Sequence, residues 1–367
     1  MEEKPFSEFK NNVQSYSKYY IGIDIGGTNT RVIAGFDEGD IYHVHKFQAN
    51  TICELLKGLQ EAAAMIAQVY NHPPEICCID IAGPTTDNKE YDITNYNREK
   101  KEFHVLTKCD LPVSICPPSR THIINDLESG CYGLVHLISS KAEQRFFKPV
   151  ITSDGPKCEG SQVIVVLAAG TGLGVGLIHH LKHKDKYNVI PSELGHINVS
   201  SYGPNHPHYQ CELDLFNKVI PTHDPKRQYA LEYEDIVSGR GLVACYNAYK
   251  AEGDKSLTGA EIAQIAMEDP LKVNPSTKAM LAHYRYLIRA AQELSVGMRA
   301  TTTYLIGDNV VKNSKFVDAV QDELVKEFFA HTKEAWLKKI SNLHVQSELA
   351  NLNLYGTLYF ARNASKE

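Results

Sequence analysis

The sequence predicts an α/β protein made of two related units. Two glycine turns, Asp24-Ile-Gly-Gly-Thr-Asn-Thr-Arg31 and Leu167-Ala-Ala-Gly-Thr-Gly-Leu-Gly174, lie far apart in the chain, and each joins two stretches of β-type residues. Between and after them, strand-like runs alternate with helical patterns, the signature of an α/β class. At 367 residues the chain also has room for roughly two domains of about 150 residues each.

The elements follow in order. Residues 1–18 are polar and are expected to form a loosely ordered lead-in. Strands are expected around 19–25, 30–36 and 41–47. A helical pattern then runs from about Cys53 to Tyr70, with Leu55, Leu56, Leu59, Ala62, Ala63 and Ile66 on one stripe. Pro73-Pro74 ends it. A buried strand, Ile76 to Ile81, leads into Ala82-Gly-Pro84, and the apolar segment Val113-Ser-Ile-Cys116 precedes Pro117-Pro118. The strand His122-Ile-Ile124 ends at Asn125-Asp126, where a helix through Leu134 begins. The domain boundary is placed there, giving a small α/β domain of 19–123 plus about 349–367 and a large α/β domain of 124–348.

Residues 139–161 are polar, with Gly and Pro, and read as an exposed insertion before the second glycine hairpin. His179-His-Leu-Lys-His183 reads as a solvated hairpin tip, and Glu193-Leu-Gly-His196 as a loop leading into a strand at 197–199. Thr258-Gly-Ala-Glu261 is a capping box that opens a helix. Lys278 to Arg299 follows the 3.6 period, and the strand Thr303 to Ile306 ends at Gly307-Asp-Asn309. Leu352, Tyr355, Leu358 and Tyr359 share one face of a last helix within Leu349 to Arg362, which could return to pack on the first domain.

Composition narrows the function. With 43% apolar and 22% charged residues and a net charge of −6, the chain is an ordinary globular protein. Lys and Arg gather in no long basic stripe, so nucleic acid and anionic membrane are poor partners and a small ligand is favoured. The longest apolar run, Val163 to Ile178, is interrupted by glycines and falls short of the roughly 18 residues of a spanning helix. The N-terminus lacks a secretory pattern and the nine cysteines are odd in number, so reduced thiols and a cytoplasmic location are expected. Cys77-Cys78 reads as buried packing.

The glycine turns themselves carry chemistry. A phosphate approaches main-chain N–H groups closely only where no Cβ intervenes. The hydroxyls of Thr28 and Thr171 can add donors. A P-loop or dinucleotide fingerprint would run from strand through turn into helix, whereas both turns here run from strand to strand. Two such hairpins suggest two related halves facing one nucleotide. Asn125-Asp126, at a strand end beside a helix start, offers a carboxylate that could accept the proton of an attacking alcohol or merely cap the helix. Glu193 and His196 can accept from and donate to the hydroxyls of a polyol, or be plain surface residues. A zinc site with His206, His208 and Cys211 is disfavoured by the shortage of cysteines. Glu234, ahead of Ser238-Gly239, is a third sugar-directed carboxylate or a first-turn charge.

In this order, the motifs resemble those of glucokinases of the hexokinase superfamily, bacterial-type and protist, over about residues 20 to 362. The resemblance implies the two-domain actin-like ATPase (ribonuclease H-like) fold with the active site in the interdomain cleft, and ATP-dependent phosphorylation of glucose at its 6-hydroxyl. It implies phosphate contacts at Asp24, Gly26, Gly27, Thr28, Asn29 and Arg31 and at Gly170, Thr171 and Gly172. Gly307, Asp308 and Asn309 would hold the adenosine, and Asp24 would hold Mg²⁺ through water. Asp126 would be the catalytic base, and Asn95, Asn125, Asp126, Glu193, His196 and Glu234 would bind sugar. Ala168-Ala169 departs from the usual Gly/Ala-Pro, and Asn97-Arg98 from the usual Thr-Lys. The Cys-rich zinc segment of the related repressor family is missing, and with about 20 residues before the first expected strand no DNA-binding helices are expected, which disfavours a transcription factor. Another hexose or an amino sugar such as N-acetylmannosamine is the alternative substrate, a noncatalytic sensor the alternative class, and a homodimer is an assembly the sequence leaves open.

Overall fold

The computed structural model describes residues 3–12, 16–27, 29–83, 90–155, 161–226 and 228–364. The chain divides into two compact units, 1–143 with 351–367, and 144–350.

The first unit is a six-stranded sheet. Its strands are β1 (Glu3–Pro5), β2 (Tyr20–Ile25), β3 (Thr30–Gly35), β4 (Ile41–Phe47), β5 (Cys77–Ile81) and β8 (Thr121–Asn125), in the order β1-β4-β3-β2-β5-β8. Two further strands, β6 (Glu90–Asp92) and β7 (Val105–Thr107), pair separately. The β2/β3/β4 meander is antiparallel, while β5 and β8 add in parallel. Alternation along β2 and β5 sends Ile21, Ile23, Cys77 and Ile79 to one core and Tyr20 and Cys78 to another. The helix Ile52–Ala67 covers the first face through Ile52, Leu55, Leu59, Ala62 and Ile66. On the second face lies the C-terminal helix Leu352–Ala364, through Leu354, Leu358 and Ala361.

The second unit repeats the topology. Strands β9 (Phe147–Ile151), β10 (Gln162–Ala169), β11 (Leu173–Leu181), β12 (Lys186–Ser192), β13 (Ala300–Ile306) and β14 (Asn342–Gln346) run in the order β12-β11-β10-β13-β14-β9. In both units an antiparallel three-strand meander is followed by two parallel strands. The 23-residue helix Pro275–Gly297 is buried on most of its circumference, as expected of a helix central to a core. No helix among the described residues is long and apolar enough to cross a membrane.

Several elements differ from the sequence reading. The expected loose lead-in contains β1, parallel to β4, and the helix Phe6–Asn12. Phe6 and Phe9, one turn apart, are buried, and Phe9 stacks on Phe36 at 4.9 Å, so two rings outweigh the polar residues around them. The expected insertion at 139–161 includes the edge strand β9, antiparallel to β14; residues 156–160 lie outside the described residues. The expected tip at 179–183 is mostly strand: β11 runs through Leu181, and His180 stacks on Tyr187 at 4.0 Å. The division between units falls after residue 143, past the boundary expected at 123. The helix Asp126–Ser139 belongs with the first unit, where the Ser129 hydroxyl donates to Asn353 O at 2.7 Å.

Candidate active site

In the first unit the β2/β3 turn is closed by a hydrogen bond from Gly26 N–H to Asn29 O at 3.1 Å. Thr28 lies outside the described residues. Asn95 packs against Gly27, so the expected small-domain sugar asparagine meets the first glycine turn. Asp24 is buried, and its Oδ2 accepts from Arg31 Nη1 at 2.9 Å and Asn351 Nδ2 at 3.1 Å. Arg31, expected to reach phosphate, is thus also the counter-ion of Asp24.

Asn125 and Asp126 meet at the start of one helix. Asn125 is the N-cap of the helix Asp126–Ser139: its Oδ1 accepts from Leu127 N–H at 2.9 Å and its Nδ2 donates to Gly83 O at 3.1 Å. Asp126 stands at the first helical position, with Oδ1 accepting from the same N–H at 2.8 Å. Asn125 and Asp126 thus share one helix-start N–H. Burial pushes the Asp126 carboxyl up to about 6, with the nearby Asp24 charge adding to the rise and the Leu127 N–H opposing it. A base with that proton affinity is ionised at neutral pH yet strong enough to draw a proton from an alcohol in a transition state.

Sequence reasoning missed Asp80. It pairs with Asp24 across β2/β5, is completely buried, and lies beside Asp24 and the Ser129 hydroxyl. Burial first, then the Asp24 and Asp126 charges, hold its carboxyl far above the ordinary range. Carboxylate oxygens crowded without enough cations are the donors that a hard ion such as Mg²⁺ prefers. These residues fit Mg²⁺ at Asp24.

In the second unit the tip Gly170-Thr171-Gly172 is closed by Gly170 N–H donating to Gly172 O at 2.9 Å, and it is tied to the next segment by Gly239 N–H donating to Gly170 O at 2.9 Å. Glu234 belongs to this tip as much as to any sugar site. Its Oε2 accepts from Leu173 N–H at 2.9 Å, and its Oε1 accepts from Arg240 at 2.9 Å. A Cβ on Gly172 would lie 2.4 Å from Glu234 Oε2, which explains the glycine. Glu234 sits in the short helix Tyr233–Ile236, and Ser238 caps the helix Gly239–Tyr249 that follows.

Glu193 and His196 bracket one 3₁₀ turn, Leu194–His196, where the sequence suggested a loop entering a strand. Residues 197–199 instead make one bridge, Asn198 with Glu232. Gly195 is required here, since a Cβ would lie 1.9 Å from Leu173 O. Glu193 is exposed; His196 Nδ1 lies 2.7 Å from Glu232 Oε2, a residue the motif reading did not single out. Beyond this segment, buried Arg289 donates to Ser200 O (3.0 Å), Glu212 (2.6 Å) and Glu327 (2.5 Å), its guanidinium flanked by the rings of Tyr202 and Tyr286. Gly307 N–H donates to Gln346 Oε1 at 2.8 Å, and Asp308 and Asn309 are exposed at the start of a one-turn helix.

A family model described as glucokinase matches residues 21–348. The chain belongs to the glucokinase family. Glucokinase 1 of Trichomonas vaginalis is 30% identical over 357 residues, covering 93% of this chain and 92% of that protein. The crystal structure of a Balamuthia mandrillaris glucokinase in complex with glucose superposes with a TM-score of 0.80 at 33% identity, over 97% of this chain and 99% of that one. A Leishmania braziliensis glucokinase structure, at 22% identity and a TM-score of 0.78, covers 98% of each chain and shares the fold. The fold of this glucokinase-family chain is the two-domain actin-like ATPase fold, in which each unit contributes one glycine hairpin.

Proposed function

We propose that the chain transfers the γ-phosphoryl group of ATP to the 6-hydroxyl of glucose, with Asp126 as the base. The observation that carries this is the half-buried Asp126 carboxylate at the first position of its helix, beside the capping Asn125. Asn125 and Asp126 share the Leu127 N–H, and the Asp126 carboxylate, pushed up to about 6, has a second oxygen to take the proton of an alcohol. Membership of the glucokinase family and the glucose bound to the Balamuthia mandrillaris relative support the substrate.

In this reading Asp126 accepts the 6-hydroxyl proton as the oxygen attacks phosphorus. The backbone N–H groups of the two glycine hairpins bind phosphate oxygens, and Gly307, Asp308 and Asn309 bind the adenosine. Asn95, Asn125, Glu193, His196 and Glu234 hold the sugar hydroxyls, with Glu234 also bracing the second hairpin through Leu173 N–H. Asp24, oriented by Arg31 and Asn351, would hold Mg²⁺ through water. When bound, that ion supplies charge neutralisation on the phosphates. The setting is the cytosol, where ATP and free hexose meet.

The test is ADP release with Mg-ATP and glucose, beside mannose, fructose, N-acetylmannosamine and a blank without sugar. Turnover that depends on glucose supports the reading. Turnover with another sugar alone moves the substrate, and sugar binding without ADP release would replace a kinase by a sensor.

A further inference from the structure

Three acidic residues surround His196, and only one is within hydrogen-bond reach. Nδ1 is 2.7 Å from Glu232 Oε2, while Nε2 is 3.9 Å from Glu193 Oε2. The Glu232 contact is held by backbone. Val199 N–H donates to Leu231 O at 2.7 Å and Tyr233 N–H to Ile197 O at 3.1 Å, with the Asn198–Glu232 bridge between them. The N–H of Glu232 itself donates to Asp235 at 3.0 Å, and the adjoining Tyr233 is fully buried. The carboxylate is therefore delivered to Nδ1 by an anchored segment rather than by a free side chain.

We propose that Glu232 is a positioning residue that fixes which ring nitrogen of His196 faces the sugar and makes that nitrogen a donor. The inference rests on the glucose kinase reading above. A carboxylate at Nδ1 requires a proton there, so Nε2 is left for the substrate. Nε2 then donates when the ring is an imidazolium and accepts when it is neutral. The charged groups facing His196 are Glu193, Glu232 and Glu234, all acidic, and the Glu232 hydrogen bond leads them in raising the imidazole above its usual value against the opposing effect of burial.

The imidazolium and Glu193 form a complementary pair. A sugar hydroxyl can accept from Nε2–H and donate to the acceptor-only Glu193 at the same time. With a neutral ring both partners would be acceptors, and one hydroxyl proton could satisfy only one of them. A raised proton affinity keeps the donor form populated up to a higher pH. Glucose affinity is thus held below the raised value and lost as pH rises through it.

The experiment uses E232Q and E232A. The His196 ring is titrated by NMR, its signals assigned by their loss in His196→Asn, and glucose and ATP KM values are measured from about pH 6 to 9. E232Q retains an acceptor for Nδ1–H but not the charge. It is expected to lower the His196 pKa and move the alkaline decline in kcat/KM for glucose to lower pH. E232A removes both the charge and the acceptor at Nδ1, so the ring is no longer held with Nε2 toward the sugar, and it is expected to raise glucose KM about tenfold near neutrality with no comparable change for ATP. Unchanged His196 titration and unchanged glucose KM in both variants would overturn the proposal. If the wild type releases no ADP with glucose, the kinase reading fails, and the titration still decides the pairing: a lowered pKa in E232Q supports it and an unshifted one overturns it.

Discussion

Asp126 is a position where burial and catalysis oppose each other, and Asp126→Asn should separate them. An aspartate ordinarily near 3.8 is pushed up to about 6 here, chiefly by burial. At about 1.4 kcal/mol per tenfold change in proton affinity, ionised Asp126 destabilises its unit by about 3 kcal/mol, an upper figure because the side chain is partly exposed and water screens it. The folded state holds the proton more tightly than the unfolded chain. The penalty is therefore absent below pH 3.8, grows between 3.8 and about 6, and is complete above that. Asn keeps the shape and can still accept from Leu127 N–H.

The protein without substrates should accordingly melt higher as Asp126→Asn near pH 7.5, by up to roughly 6–12 °C for a unit of this size. Near pH 5 the gap should shrink to about half. Turnover should fall by about 10²–10⁴-fold, the scale of general-base catalysis. Calorimetry at the two pH values and a coupled ADP assay read both effects. Equal melting at pH 7.5, or a gap independent of pH, would refute the burial argument. Turnover within tenfold of wild type would refute the role as base, and the wild-type rate should itself decline as pH drops through about 6.

Three further substitutions test the surroundings. Gly172→Ala places a methyl 2.4 Å from Glu234 Oε2 and should push that carboxylate off Leu173 N–H, raising KM for both ATP and glucose with unchanged circular dichroism; wild-type KM values would disprove the link. Arg289→Met leaves Glu212 and Glu327 as buried, unpaired charges, so urea denaturation should show a loss of about 3–5 kcal/mol; a loss under about 1 kcal/mol would show the network to be dispensable. Asp80→Asn removes a buried carboxyl whose proton affinity is raised by burial and by Asp24 and Asp126, so it should raise the melting temperature at pH 8, with the gain fading as pH falls toward 3.8. No gain at pH 8 would mean that Asp80 has a compensating partner.

What the sequence revealed, it revealed through local rules. Glycine turns between β-rich runs located β2/β3 and β10/β11, and the Thr258 capping box appears with both of its hydrogen bonds, from Glu261 N–H at 3.3 Å and from Thr258 N–H at 2.8 Å. Pairing across long separations was harder to see. β1 is three residues with one proline, and β9 mixes Lys148 and Pro149 into a short edge strand, so neither has a period to read. The same holds at the site. Asp24, Asp126, Glu193, His196 and Glu234 belong to motifs, but Asp80 became relevant only through its register with Asp24, and Glu232 only through its bridge to Asn198. Two acidic residues separated by one position gave no reason to prefer Glu232 for His196 and Glu234 for the hairpin; the fold made that assignment.

Within the second unit, that assignment joins two tasks in one block. Leu173 begins the strand after the phosphate-type tip; its N–H is held by Glu234, and its carbonyl lies against Gly195, inside the Glu193–His196 turn. The Ser192 hydroxyl donates to Val175 O at 2.6 Å, fastening the same turn to the same strand. On the proposed sugar site, a hexose held by Glu193, His196 or Glu234 would therefore touch residues packed directly on the second hairpin. Any preference the hairpin gains for phosphate when sugar binds must appear, by linkage, as an equal preference for sugar when nucleotide binds. This explains physically why Glu234 belongs both to a sugar motif and to a hairpin contact. With its carboxylate bonded to Leu173 N–H, a sugar bound at Glu234 as proposed would act through one hydrogen bond on the turn proposed to hold phosphate.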